Sequence, residues 1–86
     1  MPEISRFLGI VIAMYYNDHA PPHFHAQYGE KEMRVSLLNG ELLSSDFPRR
    51  AERLVLEWYE LHKDELLADW ALAQERKPLL KIEPLE

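Results

Sequence analysis

The chain has 86 residues, 47% hydrophobic and 29% charged, which describes one globular domain over residues 1–86. A domain of this size buries only roughly 60% of its unfolded surface, so a metal, a homodimer interface or a partner chain would add useful stability. The absence of cysteine excludes disulfides and thiolate zinc sites, and a net charge of −5 weighs against nucleic acid as a ligand, because phosphates call for a basic excess.

The stretch ISRFLGIVIAMYY, rich in β-branched and aromatic residues with Gly9 inside it, predicts a buried strand or a bent strand pair. The polar turn NDHAPP ends it, since two successive prolines donate no ladder hydrogen bonds. HFHAQYG then resumes an extended pattern. His23, His25 and Gln27 fall on one face of it, and Phe24, Ala26 and Tyr28 on the other. EMRVSLL alternates well, Asn39-Gly40 is a strong short hairpin signal, and ELLSS returns as a short strand. The first half therefore reads as an antiparallel meander of about four strands.

The period changes at Asp46. Ala51, Leu54, Val55, Trp58, Leu61, His62, Leu66, Trp70 and Ala73 recur at helical spacing. Ser45 or Asp46 is the expected cap, Pro48 suits the first turn, and the run ends by Pro78. The pattern is one long helix or two, with a break near Lys63-Asp64 and Asp64 as a candidate second cap; ordinary helix lengths favour the break. The fold class is α+β: a meander followed by a C-terminal helical segment that packs on the sheet and buries Leu54, Trp58, Leu61 and Trp70. The tail PLLKIEPLE is expected to lie extended against the body or a partner. The acids Glu57, Glu60, Asp64, Glu65 and Asp69 are expected on the outer face.

Chemistry concentrates in NDHAPPHFHAQYG, where three of the four histidines stand within seven positions. On a strand His23 and His25 point the same way, with Cα atoms about 6–7 Å apart. His19 or Asp18 from the preceding turn is the candidate third ligand. Such a set suits zinc, nickel, copper or iron. Two other readings stay open. The histidines can be half-buried fillers whose nitrogens satisfy backbone groups near the prolines. They can also do metal-free acid–base work of the ribonuclease-toxin kind, with Arg6, Arg34 or Arg49-Arg50 as cation and Tyr15, Tyr16 or Tyr28 as hydroxyl partner. His62 becomes a fourth ligand only if the helix packs over the HFH strand. Arg49, Arg50 and Arg53 open the helix near its positive dipole end, where cations are mildly unfavourable, and are candidates for anion or partner contact. No GxSxG, P-loop, dinucleotide fingerprint or HExxH occurs, so whether the protein is an enzyme stays open.

Taken together, MPEISRFLGIVIAMYYNDHAPPHFHAQYGE, PRRAERLVLEWYELHKDELLADWALA and KPLLKIEPL resemble a bacterial family known as domain of unknown function 4160, the PPHFH core being the most specific part. The resemblance implies a small stand-alone prokaryotic protein, often encoded beside another small protein in the manner of toxin–antitoxin or regulatory pairs. It carries no catalytic residue. The leading expectation is thus a partner-binding component of such a pair, with a metal-dependent role at His19, His23 and His25 second. No apolar run reaches the roughly 18–20 residues of a membrane span, and acidic Glu3 does not suit a secretory signal. A cytoplasmic protein with no membrane partner is expected.

Overall fold

The computed structural model describes residues 2–16 and 18–85. Five antiparallel strands, β1 (Glu3–Phe7), β2 (Ile10–Ala13), β3 (His23–Tyr28), β4 (Lys31–Ser36) and β5 (Leu42–Ser45), form one sheet in chain order. Two helices follow, α1 (Arg49–Leu61) and α2 (Lys63–Gln74). The α+β class stands as expected, with one strand more than the meander of four. The extra strand comes from Leu8-Gly9. Phe7 pairs with Ile10, and φ is 52° at Leu8 and 83° at Gly9. A two-residue loop with both φ values positive matches the right-handed twist of its strands, so ISRFLGIVIA folds back on itself.

The second hairpin signal works differently. Asn39-Gly40 lies inside a longer turn, closed by Ser36 N–H to the Glu41 carbonyl at 2.9 Å and Gly40 N–H to the Ser36 carbonyl at 3.0 Å. Of the two, only Gly40 takes positive φ, at 76°. A Cβ there would stand 2.8 Å from the Tyr59 ring, so this turn requires glycine twice over.

The pleat sorts the sheet into two faces. Phe24 and Ala26 of β3 share a face with their cross-strand partners Val35, Met33 and Ile12, all fully buried. Helix α1 covers this face with Ala51, Val55, Trp58 and Tyr59. The Trp58 ring meets Phe7 and Phe24, each with centroids 5.7 Å apart. Tyr59 donates its hydroxyl to the Leu37 carbonyl at 3.2 Å. The other face carries His23, His25 and Gln27, with Arg34, Ser36 and Glu32 opposite them.

The helical run breaks at His62, one residue before the expected position, and His62 rather than Asp64 stands at the cap of α2. Pro48 occupies the cap position of α1, without a side-chain cap. Ser45 acts a turn earlier, accepting the Phe47 N–H at 3.3 Å and donating to Glu52. The break changes two expectations about burial. Leu61 ends α1 and is 65% exposed rather than core, while Asp69 of α2 is 1% exposed rather than on the outer face. Rotating the axis at His62 puts the second helix out of phase with the stripe of the first.

The tail lies against the body as expected. Ile82 N–H donates to the Ile4 carbonyl at 2.8 Å along the edge of β1. Leu80 N–H donates to Asp69 Oδ1 at 3.0 Å, and the Trp58 indole donates to the Glu83 carbonyl at 2.8 Å. No helix is long and apolar enough to cross a membrane, among the described residues.

Candidate metal centre

Strand β3 is central in the sheet, so its histidines project from the most rigid position available. Their rings are side by side, with centroids 5.0 Å apart. They are 6% and 8% exposed, so the sheet is dry at this point on both faces. Three elements cover them. Trp70 of α2 packs against His23 at 5.5 Å. Tyr15 stands edge-on to His25 at 4.4 Å. The turn before β3 folds back over both and is held to α2 where Gln74 Nε2 donates to the Asp18 carbonyl at 3.3 Å.

That turn delivers Asp18. Its Oδ2 lies 3.1 Å from His23 Nε2 and 3.3 Å from His25 Nε2. Asp18, His23 and His25 each offer one donor atom, all within 4.8 Å of one another. His19 does not join them. It is exposed, and its contribution is a backbone N–H donated to Asp18 Oδ1 at 2.8 Å. Of the expected ligands the fold thus gathers Asp18, His23 and His25 and leaves the His19 ring outside. The reason is the turn's path: once Asp18 points inward, its chain neighbour faces solvent. Asn17, where the polar turn begins, lies outside the described residues.

The far side of each imidazole decides what the near side can do. His23 Nδ1 is 2.7 Å from the Pro21 carbonyl oxygen, which only accepts, so Nδ1 carries the proton. His25 Nδ1 is 3.3 Å from Glu32 Oε2, again an acceptor. With its Nδ1–H on the Pro21 carbonyl, neutral His23 aims a bare Nε2 lone pair at the Asp18 carboxylate, itself an acceptor. His25 stands between two acceptors at equal distance, Glu32 and Asp18, and its one ring proton serves either of them. A cation at the centre would hold both Nε2 atoms and the carboxylate, with both ring protons turned outward.

Asp18 is shifted by these contacts. Burial raises its carboxyl, but the His19 N–H, the contact with His25 and the charges of His23 and His25 outweigh that and hold it below the usual carboxylate range. Tyr15 goes the other way: burial first, then the charges of Glu32 and Asp18, push its hydroxyl up. Of the candidate cations for metal-free catalysis, Arg6 and Arg34 are engaged by other partners. Arg6 pairs with Glu3 at 2.9 Å, and Arg34 donates through Nε to Ser44 Oγ at 3.1 Å. His62 packs on Trp58 and bonds Glu65, outside the cluster. Arg49, Arg50 and Arg53 are exposed at the start of α1.

Two participants escaped sequence reasoning. Glu32 is reachable in principle, since in a β3–β4 hairpin closed by Gly29 it falls nearly opposite His25. Trp70 was legible only as part of an apolar stripe.

The family model for a domain of unknown function, DUF4160, matches residues 9–71, a span that includes β2 to β5, α1 and the whole candidate centre. The chain belongs to this family. No curated protein and no solved structure matches it.

Proposed function

We propose that this DUF4160 chain is a metal-binding protein whose centre is Asp18, His23 and His25, and that its ion is a divalent transition metal of the zinc, nickel, copper or iron kind. The observation that carries the reading is the pair of imidazoles with acceptors on both sides. Each Nδ1 is engaged by an oxygen, and each Nε2 faces the same Asp18 oxygen. A carboxylate or carbonyl behind a ligating histidine fixes the tautomer and raises ligand basicity, which is how metal-binding histidines are commonly held. The spacing agrees. An ion with bonds of about 2.0–2.1 Å has neighbouring ligand atoms about 3.0–3.4 Å apart, and the two Asp18 contacts are 3.1 and 3.3 Å.

Two imidazoles and one carboxylate are a set chosen by borderline metals over calcium or magnesium, which take oxygen ligands. Three protein ligands also leave a coordination position for water or a small ligand. A chain with no cysteine suits the reducing cytoplasm, where such an ion would serve this small domain as a staple between the turn and β3.

The test is elemental analysis and zinc titration calorimetry on protein carrying no histidine tag. One ion per chain is expected, with affinity lowered beyond about 100-fold in Asp18→Asn and in His23→Ala/His25→Ala, since removing a ligand exceeds the effect of removing its supporting partner. Circular dichroism checks that the variants fold. Substoichiometric metal in the parent, or unchanged affinity in the folded double variant, ends the reading.

A further inference from the structure

A second surface lies at the β1–β2 hairpin tip, on the α1 side of the sheet and separate from the histidines. A groove of about 310 Å³ runs between the hairpin and the first turns of α1, lined by Leu8, Ile10, Tyr28, Ala51 and Leu54, with Arg50 among them. Leu8 is 57% exposed and Tyr28 42%. Leu8 is also an unfavourable choice for its backbone. It sits at φ 52° in a two-residue turn where asparagine before glycine is the preferred pair. A residue with a large apolar side chain there loses both ways, in backbone strain and in exposed apolar surface. The fold gains nothing visible from it.

Charge marks the same place. Arg50 lines the groove, and Arg49 and Arg53 lie close to it in sequence on α1, all three exposed. Among the described residues none of them makes an ion pair, whereas Arg6, Lys63 and Lys77 each do. In a chain of net charge −5, the groove thus holds a cation without an ion-pair partner, Arg50, with two more on the same stretch of helix and the nearby Glu52 already engaged by Ser45.

We infer that this groove is a docking site for an extended acidic segment of a partner protein, whose apolar side chains enter between Leu8, Tyr28 and Leu54 while its carboxylates meet Arg50 and its neighbours. The complementarity is electrostatic at the rim and apolar at the centre, the usual anatomy of a specific protein contact. The concave shape suits side chains on a strand-like segment better than a flat lipid surface.

The experiment uses the full chain and a short fluorescent synthetic peptide in which leucines and a phenylalanine alternate with glutamates. Its counterpart carries lysine for every glutamate. Phosphatidylglycerol vesicles, a poly-uridine RNA and self-association by light scattering are the competing arms. The acidic peptide should bind, and backbone amide shifts in the nuclear magnetic resonance spectrum should change around Leu8, Tyr28 and Arg50. Leu8→Asn should raise the thermal midpoint, because asparagine tolerates the turn, and yet weaken the peptide about tenfold. Arg50→Glu, harmless to the helix start, should do the same to binding. The idea is overturned if the lysine peptide binds equally, if both variants bind like the parent, or if vesicles, RNA or a second copy of the chain occupy the groove in preference.

Discussion

The two faces of one sheet make opposite use of burial. On the α1 face Phe24, Met33, Val35 and Trp58 are each 0% exposed, and the polar groups that reach this layer, such as the Tyr59 hydroxyl and the Trp58 indole, donate to backbone carbonyls. On the other face His23 and His25 are nearly as dry, but their nitrogens meet only acceptors. The first face is core, with the Ser5 hydroxyl its buried polar atom lacking a partner among the described residues. The second gathers acceptors that the proposed cation would complete. Burial thus shows where the domain is held together and where it is prepared for something else, and converging acceptors tell the two apart.

The largest expected effect tests the core face. Trp58→Ala should lower stability by about 3–5 kcal/mol, the range for removing a buried large aromatic, read as a shift in the urea midpoint. A loss under about 1 kcal/mol would mean that the two faces do not differ in the way described. Gly40→Ala comes next. Both the positive φ and the Tyr59 ring at 2.8 Å oppose a methyl group, and a loss of about 1–3 kcal/mol is expected. Restoration by Gly40→Ala/Tyr59→Leu to the level of Tyr59→Leu alone would assign the effect to the ring; persistence would assign it to the backbone.

On the histidine face, Glu32→Gln should leave the fold intact and weaken zinc by about 10–100-fold in calorimetry, the usual consequence of removing a carboxylate behind a ligating histidine. An unchanged affinity would mean that His25 is oriented by its packing against Tyr15 instead. The smallest effect concerns a carboxylate that is buried, Asp69. Asp69 has one oxygen on the Leu80 N–H and the other without a partner. Burial raises its carboxyl, outweighing that hydrogen bond, with a further push from Glu65. The folded state therefore holds its proton more tightly than the unfolded one, and the associated stability is present at low pH and lost as pH rises through the raised value. Asp69→Asn should flatten that dependence, so urea midpoints of parent and variant should diverge with rising pH. Parallel curves would show that Asp69 is solvated in practice. Asp18, half-buried beside two imidazoles, is shifted in the opposite direction.

Local pattern carried much of this domain. Alternation in HFHAQY separated Phe24 and Ala26 from the two histidines, and helical spacing placed Ala51, Val55, Trp58 and Leu66 in the core. Both follow from periods of two and 3.6 residues, which are properties of the backbone and visible in any window of the chain. The strand count went astray at Leu8-Gly9, because leucine is a poor signal for a turn that glycine and the strand twist nonetheless impose. Asp69 turned inward because the break at His62 rephases the helix beyond it, and Leu61 is exposed at the end of the helix before it.

Tertiary folding decided the rest. Proximity in sequence put His19 among the ligand candidates, while the turn's actual path chose Asp18 and turned His19 to solvent. Glu32, Trp70 and Gln74 reach the centre from a neighbouring strand and a helix, over sequence separations that no periodicity encodes. Element type is a local preference written residue by residue, whereas a ligand set is a meeting of distant segments, settled by how sheet, turn and helix pack together.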